Sequence, residues 1–203
     1  TNSIVAICIK IDLKIILTAS HGLVKTKKSW RITKDMVWRH VICELDGKPA
    51  VNEYLKATGW PEDTLTDRVH TQTIFYPLGS IEKGKFENPN TIAAFLGDYL
   101  GLAHTVKSDK LTLLTTSGKR LINAVDEVLS SIPKENLLAI CVSCGVRMEA
   151  LGDEVNLTKE KLSNRLRIPF LVIYTSGEDR YIPNEKIPSH MQETFNILTL
   201  SQK

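Results

Sequence analysis

A continuous apolar run over residues 137–142 is the clearest feature in the pattern of hydrophobic and polar positions. Strands that are buried on both faces have this pattern, so we predict a central strand here. Residues 157–167 then carry a helical pattern, and a second apolar run covers residues 170–174. This order predicts a parallel, right-handed crossover between the two runs.

Two more helices are predicted upstream. An apolar stripe at the helical spacing covers residues 118–131, and Pro133 follows it. A shorter stripe covers residues 50–58, between a proline and a glycine that suit the start and the stop of a helix.

The rest of the chain predicts strands and the loops between them. The expected strands cover residues 3–10, 14–18, 31–33, 37–45, 69–75, 110–115 and 193–200. Residues 82–90 and 180–189 combine charge with glycine or proline and are expected to be loops. Residues 92–102 fit either a helix or strands broken by two glycines. Together these elements predict an α/β (α+β mixed) fold, with a mixed β-sheet and packed helices.

Composition excludes several classes of protein. The 203 residues carry a net charge of +3, and no apolar run approaches the roughly 18 residues that cross a bilayer, so membrane insertion is not expected. Four cysteines lie in or beside apolar runs, which favours reduced thiols in a cytoplasmic protein. Cys141 and Cys144 match C-x-x-C, but residues three apart on a strand point to opposite faces. We therefore expect no metal site and no other cofactor.

Basic residues crowd residues 25–39, which also contain Trp30 and Trp38. Basic residues among aromatic ones can bind nucleic acid. Lysines also blunt a solvated strand edge. We interpret the segment as such an edge, so nucleic acid is not an expected partner.

Small, reactive or charged residues follow both apolar runs. Cys144, Gly145 and Arg147 come after the first run, and Gly177 and Glu178 after the second. Because the carboxyl ends of neighbouring parallel strands share one edge of a sheet, we expect Arg147 and Glu178 to lie within one concavity. Their opposite charges suit a zwitterion such as an amino acid, with Arg147 on its carboxylate and Glu178 on its amine. A plain salt bridge between the two is the alternative.

The thiol of Cys144 is a further candidate group. Near a helix amino terminus or Arg147 its pKa would fall, and Cys144 would be the most reactive cysteine. No Cys–His–Asn or Cys–His–Asp arrangement is legible in the sequence. A thiol-dependent enzyme is therefore only the third interpretation, and no catalytic residues are expected.

Several short motifs resemble, in order and spacing, the FIST C domain of F-box and intracellular signal transduction proteins. They are Ser20-His21-Gly22, residues 44–54, Pro77-Leu78-Gly79, residues 143–147, residues 174–178 and residues 192–198. The resemblance assigns residues 25–203 to a FIST C domain and residues 1–24 to the last strands of a FIST N half. We therefore expect the chain, which starts at Thr1 without a methionine, to be a fragment of a longer protein.

The resemblance implies a sensory, ligand-binding domain that is not an enzyme. The implied partners are a small ligand, such as an amino acid, and a signalling output domain. The alternative is a substrate-recognition module of an F-box ubiquitin ligase, with ubiquitin-ligase components as partners. The implied architecture is a layered sandwich formed with the missing N-terminal half. The candidate ligand-binding residues are Cys144, Gly145, Arg147, Tyr174, Gly177, Glu178 and His21.

The chain departs from the family pattern beside the second apolar run. Val172 and Ser176 stand where the family often has a glycine and an aromatic residue. Asp179 and Arg180 follow where a hydrophobic residue is usual. These differences concern the lining of the expected pocket, so the resemblance does not identify the ligand.

Overall fold

The computed structural model describes residues 10–61, 63, 70–82, 85–180 and 189–203. Apart from Lys10, the strand expected over residues 3–10 lies outside the described residues, as does Cys8. The strands are β1 (Lys14–Ser20), β2 (Val24–Met36), β3 (Val41–Leu45), β4 (Lys48–Pro49), β5 (Leu78–Glu82), β6 (Lys85–Asn90), β7 (Ile92–Leu96), β8 (Tyr99–Leu102), β9 (Lys110–Thr115), β10 (Leu138–Cys144), β11 (Phe170–Thr175), β12 (Glu178–Arg180), β13 (Ser189–Met191) and β14 (Phe195–Ser201). The α-helices are α1 (Ala50–Thr58), α2 (His70–Thr73), α3 (Gly118–Ser130), α4 (Gly145–Leu151) and α5 (Val155–Leu166).

Four strands form a mixed sheet in the order β1-β14-β10-β11. β10 and β11 are parallel, with Cys144 opposite Thr175, and β14 runs antiparallel to both of its neighbours. The predicted parallel connection between the two apolar runs is confirmed. The carboxyl ends of β10 and β11 therefore share one edge of the sheet.

Helices α3 and α5 cover one face of this sheet. Because strand side chains alternate between faces, Ala139 and Cys141 of β10 share the helix-covered face with Ile197 of β14. They form one fully buried core with Val125 of α3 and Leu162 of α5. The apolar positions that predicted these two helices lie on the sides of the helices that pack against the sheet.

A second sheet follows the order β6-β5-β9-β2-β3-β8-β7, with β4 paired to β3, and it curves until it nearly closes. Its core includes Trp30 from β2, Leu100 from β8 and Tyr54 from α1. Helix α1 begins after Pro49, and it ends at Gly59, whose φ of 73° is left-handed. The predicted helix over these residues is confirmed, as is the mixed α/β class.

The strand predicted over residues 69–75 is wrong, because helix α2 and a turn occupy this segment. The backbone N of Tyr76 donates to Thr73 O at 2.9 Å. Thr73 Oγ1 also donates to Ile92 O at 2.8 Å. These contacts override the strand propensity of the local β-branched residues.

Two boundaries in the curved sheet also differ from the prediction. The loop expected over residues 82–90 is wrong, since β5 and β6 pair as an antiparallel hairpin. Pro89 is tolerated in β6 because this strand ends the order of the sheet. The strand expected over residues 37–45 starts only at Val41, after a turn in which three consecutive residues have positive φ.

The segment over residues 92–102 is a pair of strands, β7 and β8, joined at Gly97. The prediction missed α4, which begins directly after β10. None of the helices in the described part of the chain is long and apolar enough to span a membrane.

Candidate functional site

The ends of β10 and β11 meet the start of β14 at one edge of the four-stranded sheet. Cys144 is the last residue of β10, and its backbone N donates to Thr194 O at 3.0 Å. Helix α4 begins at Gly145, where an added Cβ would lie 3.2 Å from Thr175 O. The glycine therefore lets the first turn of α4 approach the end of β11 closely.

Two buried carboxyl groups lie at this edge. Glu178 accepts a hydrogen bond from Thr194 Oγ1 at 2.9 Å, and the thiol of Cys144 is hydrogen-bonded to the same carboxyl group. Glu193 is 1% exposed, and its Oε1 accepts from Thr91 Oγ1 at 3.0 Å. Thr91 lies between β6 and β7, so Glu193 also connects the two large sheets.

Arg147, in the first turn of α4, donates to three backbone carbonyls. Its Nη2 donates to Leu121 O at 2.6 Å, and its Nη1 donates to Glu193 O at 3.4 Å and to His21 O at 3.5 Å. The guanidinium carbon lies 5.9 Å from the centre of the Phe195 ring. We refer to Cys144, Arg147, Glu178, Glu193 and Thr194 as the strand-end cluster.

His21 contributes its backbone carbonyl to this arrangement. The ring Nδ1 of His21 accepts a hydrogen bond from Leu23 N at 2.9 Å. Gly22 has a φ of +69°, and an added Cβ would lie 2.6 Å from Arg120 O. Glycine is therefore required for the loop to approach α3, and this approach places the His21 carbonyl beside Arg147.

Burial dominates the electrostatics of the cluster. Burial raises the pKa of Glu193 to about 8, although the hydrogen bond from Thr91 and the charge of Arg147 lower it, and Glu178 adds to the rise. Burial also lowers the pKa of Arg147 to about 10, against the effect of the neighbouring acidic groups. At neutral pH Arg147 is therefore cationic and Glu193 is mostly protonated.

The expectation that Cys144 has a lowered pKa is wrong. Burial, followed by the charge and the hydrogen bond of Glu178, raises the pKa of Cys144 to about 12, and two backbone hydrogen bonds offset only part of this rise. Burial likewise raises the pKa of Cys141 to about 12. Cys43, Cys141 and Cys144 are all buried free thiols. Neither Cys141 nor Cys144 is therefore ionised at neutral pH, and the prediction that Cys144 is the most reactive cysteine has no support from its pKa.

Tyr174 and Gly177 border the cluster on the β11 side. Tyr174 is 38% exposed, and its partial burial raises its pKa while the charge of Arg147 lowers it. Gly177 is half-buried and directly precedes Glu178. All seven predicted site residues thus lie at this edge of the sheet or directly beside it. That they line one concavity stays a prediction.

Three buried side-chain atoms at this edge have no hydrogen-bond partner among the described residues. They are Thr175 Oγ1, Glu193 Oε2 and Asn196 Oδ1. Buried polar atoms are nearly always hydrogen-bonded, so the concentration of such atoms here makes this edge the candidate functional site. The sequence-based prediction missed Glu193, although the polar triplet over residues 192–194 ahead of an apolar run was a visible signal.

Other parts of the described structure have fewer features of a metal or ligand site. Across the described ranges, no group of three or more His, Cys, Asp or Glu side chains is arranged to hold a metal ion. An open cleft of about 370 Å³ lies on the curved sheet, lined by Ser29, Trp30, Arg31, Asp46, Asp109 and Lys110. Its acidic and basic groups are mixed, and Asp46 Oδ1 already accepts from Arg31 N at 2.8 Å.

Comparisons with protein-family models, with curated proteins and with solved structures found no match to the chain. The resemblance to the FIST C domain therefore stays a prediction that depends on the motifs themselves. The functional argument depends on the chemistry of the strand-end cluster.

Proposed function

We propose that the chain is a sensory domain of an intracellular signal transduction protein. In this proposal it binds a small ligand with an amino group, such as an amino acid, at the strand-end cluster. The carrying observation is the group of buried polar atoms without a partner among the described residues, at an edge where two carboxyl groups accompany one guanidinium. The proposed role is binding and not catalysis.

The charges of the cluster favour an ammonium group. Glu178 acts on the pKa of Glu193, so the two carboxyl groups are within electrostatic reach of one another. A cation between them would favour the ionised form of both. An ammonium group has three donors, and Glu193 Oε2 and Thr175 Oγ1 are available as buried acceptors.

Arg147 is the proposed contact for a ligand carboxylate. Its three bonds to backbone carbonyls use three of the five N–H groups of a guanidinium. These bonds also fix the side chain, so little conformational entropy would be lost on binding. Tyr174 is exposed and within electrostatic range of Arg147, so the cluster lies near the surface on that side.

A thermal-shift series tests the proposal. The panel contains amino acids, matching amines without a carboxylate, and matching carboxylates without an amine. A ligand that binds only the folded state raises the melting temperature with concentration. We expect amino acids to give the largest shift and simple amines a smaller one.

Two variants and one control connect any shift to the cluster. Glu178→Gln and Glu193→Gln keep the side-chain shape and should abolish the shift. The control is Glu53→Gln, because Glu53 is a buried glutamate of α1, away from the cluster, that pairs with Lys28 at 3.5 Å and Lys48 at 3.8 Å. A ligand shift that survives both cluster variants would mean that the ligand binds elsewhere.

The second candidate, a substrate-recognition module, is favoured by the turn after β2. Trp38 is 88% exposed at this turn, beside the exposed Met36 and Val37. Arg39 fixes the turn through ion pairs with Asp35 at 3.4 Å and Asp109 at 2.7 Å. An exposed tryptophan is the kind of side chain that anchors protein interfaces.

A comparison of two alanine variants tests this alternative. Trp38→Ala should weaken the recognition of a substrate protein, and Leu96→Ala, a truncation at another exposed apolar residue, should not. Equal binding by both variants would remove Trp38 from the interface.

A further inference from the structure

One face of the four-stranded sheet is aliphatic across its whole width. In the register of the sheet, Leu17 of β1 lies opposite Leu198 of β14, Leu198 lies opposite Ile140 of β10, and Ile140 lies opposite Leu171 of β11. These four side chains alternate with the residues that pack on α3 and α5, so they point away from both helices. We refer to this side of the sheet as the bare face. Leu17, Leu198, Ile140 and Leu171 form its middle row, which runs from one edge strand to the other.

The rows on either side are also aliphatic, except at Asn196 of β14, which lies opposite Val142. Ile15 of β1 lies opposite Leu200 of β14, and Ile173 of β11 lies opposite Val142 of β10. Ile15 is 56% exposed and Leu171 is 54% exposed, whereas the side chains of β10 that face the helices are fully buried. Within the described residues, no side chain of these rows belongs to a hydrophobic core cluster.

We propose that a second copy of this chain covers the bare face, so that two four-stranded sheets stack about a two-fold axis. The proposal is independent of the ligand site. Apart from Asn196 of β14, which is 5% exposed, the side chains of the three rows are neutral and aliphatic, so a flat, uncharged, aliphatic surface suits them as the occupant. The bare face of another copy has this shape and composition, and stacked sheets pack about 10 Å apart through such side chains.

The size of the face is consistent with a dimer. Its side chains present on the order of 500 Å² of apolar surface, so two copies would bury about 1,000 Å², which is the lower limit of a specific interface. A contiguous patch of this size is also at the upper end of what monomeric proteins expose. With a two-fold axis through the centre of the face, Ile140 and Leu198 would contact the same residues of the other copy.

The molar mass in solution tests this proposal. Light scattering after size exclusion, with the 203-residue chain loaded from about 1 to about 200 μM, should give about twice the monomer mass of 22.8 kDa at the upper concentrations. A mass near 22.8 kDa at every concentration would overturn the proposal, whichever other segment or partner covers the face.

Substitutions at the margin of the face locate the interface. Leu17→Glu and Leu171→Glu place a charge on an exposed edge position and should give a monomer that still melts cooperatively. The matched control is Leu157→Glu, since Leu157 is 40% exposed on α5, on the opposite side of the same sheet. The control should remain dimeric. A dimer that survives both edge substitutions would overturn the proposal.

A milder variant covers the case in which a glutamate prevents folding. Ile173→Thr keeps a β-branched side chain that suits a strand. We expect the dissociation constant of the dimer to rise by about tenfold or more, since an exposed apolar contact is replaced by a hydroxyl. An unchanged dissociation constant in this variant would also overturn the proposal.

Discussion

The core of the curved sheet and the strand-end cluster are both buried, but they are built from different chemistry. Trp30, Tyr54 and Leu100 fill the curved sheet with apolar and aromatic contacts. The Tyr54 hydroxyl donates to Tyr76 O at 2.9 Å. In the strand-end cluster, a guanidinium, two carboxyl groups and a thiol occupy positions of similar burial.

This difference separates a purely structural core from the region that we propose as the ligand site. Apolar residues of the same volume are often as stabilising as a buried ion pair, so buried charge is weak evidence for a purely structural role. Breaks of local packing rules are expected at functional sites. The cluster combines such a break with polar atoms that lack partners among the described residues, and this combination favours a ligand site.

Removal of the first strand should have the largest effect. β1 pairs with β14 along seven residue pairs, and deletion of residues 1–18 removes most of it. The deletion exposes the hydrogen-bonding edge of β14, and the covered face of the sheet loses side chains. We expect no cooperative thermal melting, measured by circular dichroism. An unchanged melting curve would show that the first strand is an appendage of the fold.

Substitution of Arg147 is expected to have the next largest effect. Arg147→Met removes the guanidinium and leaves three backbone carbonyls without their donor. Since breaking a buried charged network is strongly destabilising, we expect a loss of about 3–5 kcal/mol in the free energy of unfolding, measured with urea. A loss below about 1 kcal/mol would contradict the structural role of this side chain.

The pH dependence of stability isolates Glu193. The ordinary pKa of this carboxyl group is 4.5, and burial raises it to about 8 in the folded protein. Between these values the folded state binds more protons than the unfolded state, so the stabilising contribution is present at low pH and is lost as pH rises. We expect a fall of about 3 kcal/mol in the free energy of unfolding between pH 5 and pH 8.

Glu193→Gln provides the matched comparison for this pH dependence. The amide does not titrate, so the fall in stability over the same pH range should shrink in the variant. Equal pH profiles for the two proteins would mean that the pKa of Glu193 is not raised in the folded state.

A small effect on stability is expected from removal of the Tyr54 hydroxyl in the core of the curved sheet. Tyr54→Phe removes one hydrogen bond, to Tyr76 O, and keeps the ring. We expect a loss of about 1 kcal/mol in urea unfolding and no change in the pH profile. A loss as large as that of Arg147→Met would remove the distinction between the two buried regions.

Strong local signals made much of the fold predictable. The apolar runs of β10 and β11 and the boundaries of α1 are readable because burial, proline and glycine leave clear patterns. The loop prediction for residues 82–90 was wrong because a proline and several charged residues are typical of a loop, whereas an edge strand accommodates both. The prediction missed α2 because the hydrogen bond from Thr73 to Ile92 is a long-range contact, which local propensity does not encode.

The site was predictable only where it follows the apolar runs. Cys144 ends β10, and Arg147 and Glu178 follow shortly after β10 and β11, so sheet topology brings the three residues together. Glu193 reads as the first residue of a strand, and its φ of 56° and its bond to Thr91 are not visible in the sequence. Burial raises the pKa of Cys144, and the sequence alone does not show that this residue is buried.

Proton release on ligand binding tests the central claim most directly. If an ammonium group binds beside Glu193, its charge lowers the raised pKa and the carboxyl group loses its proton. Isothermal titration calorimetry of an amino acid near pH 7, in buffers of different ionisation enthalpy, counts these protons. We predict release of nearly one proton per site in the natural chain, and neither binding nor proton release in Glu193→Gln. Binding without proton release, or with equal release in the two proteins, would contradict the account.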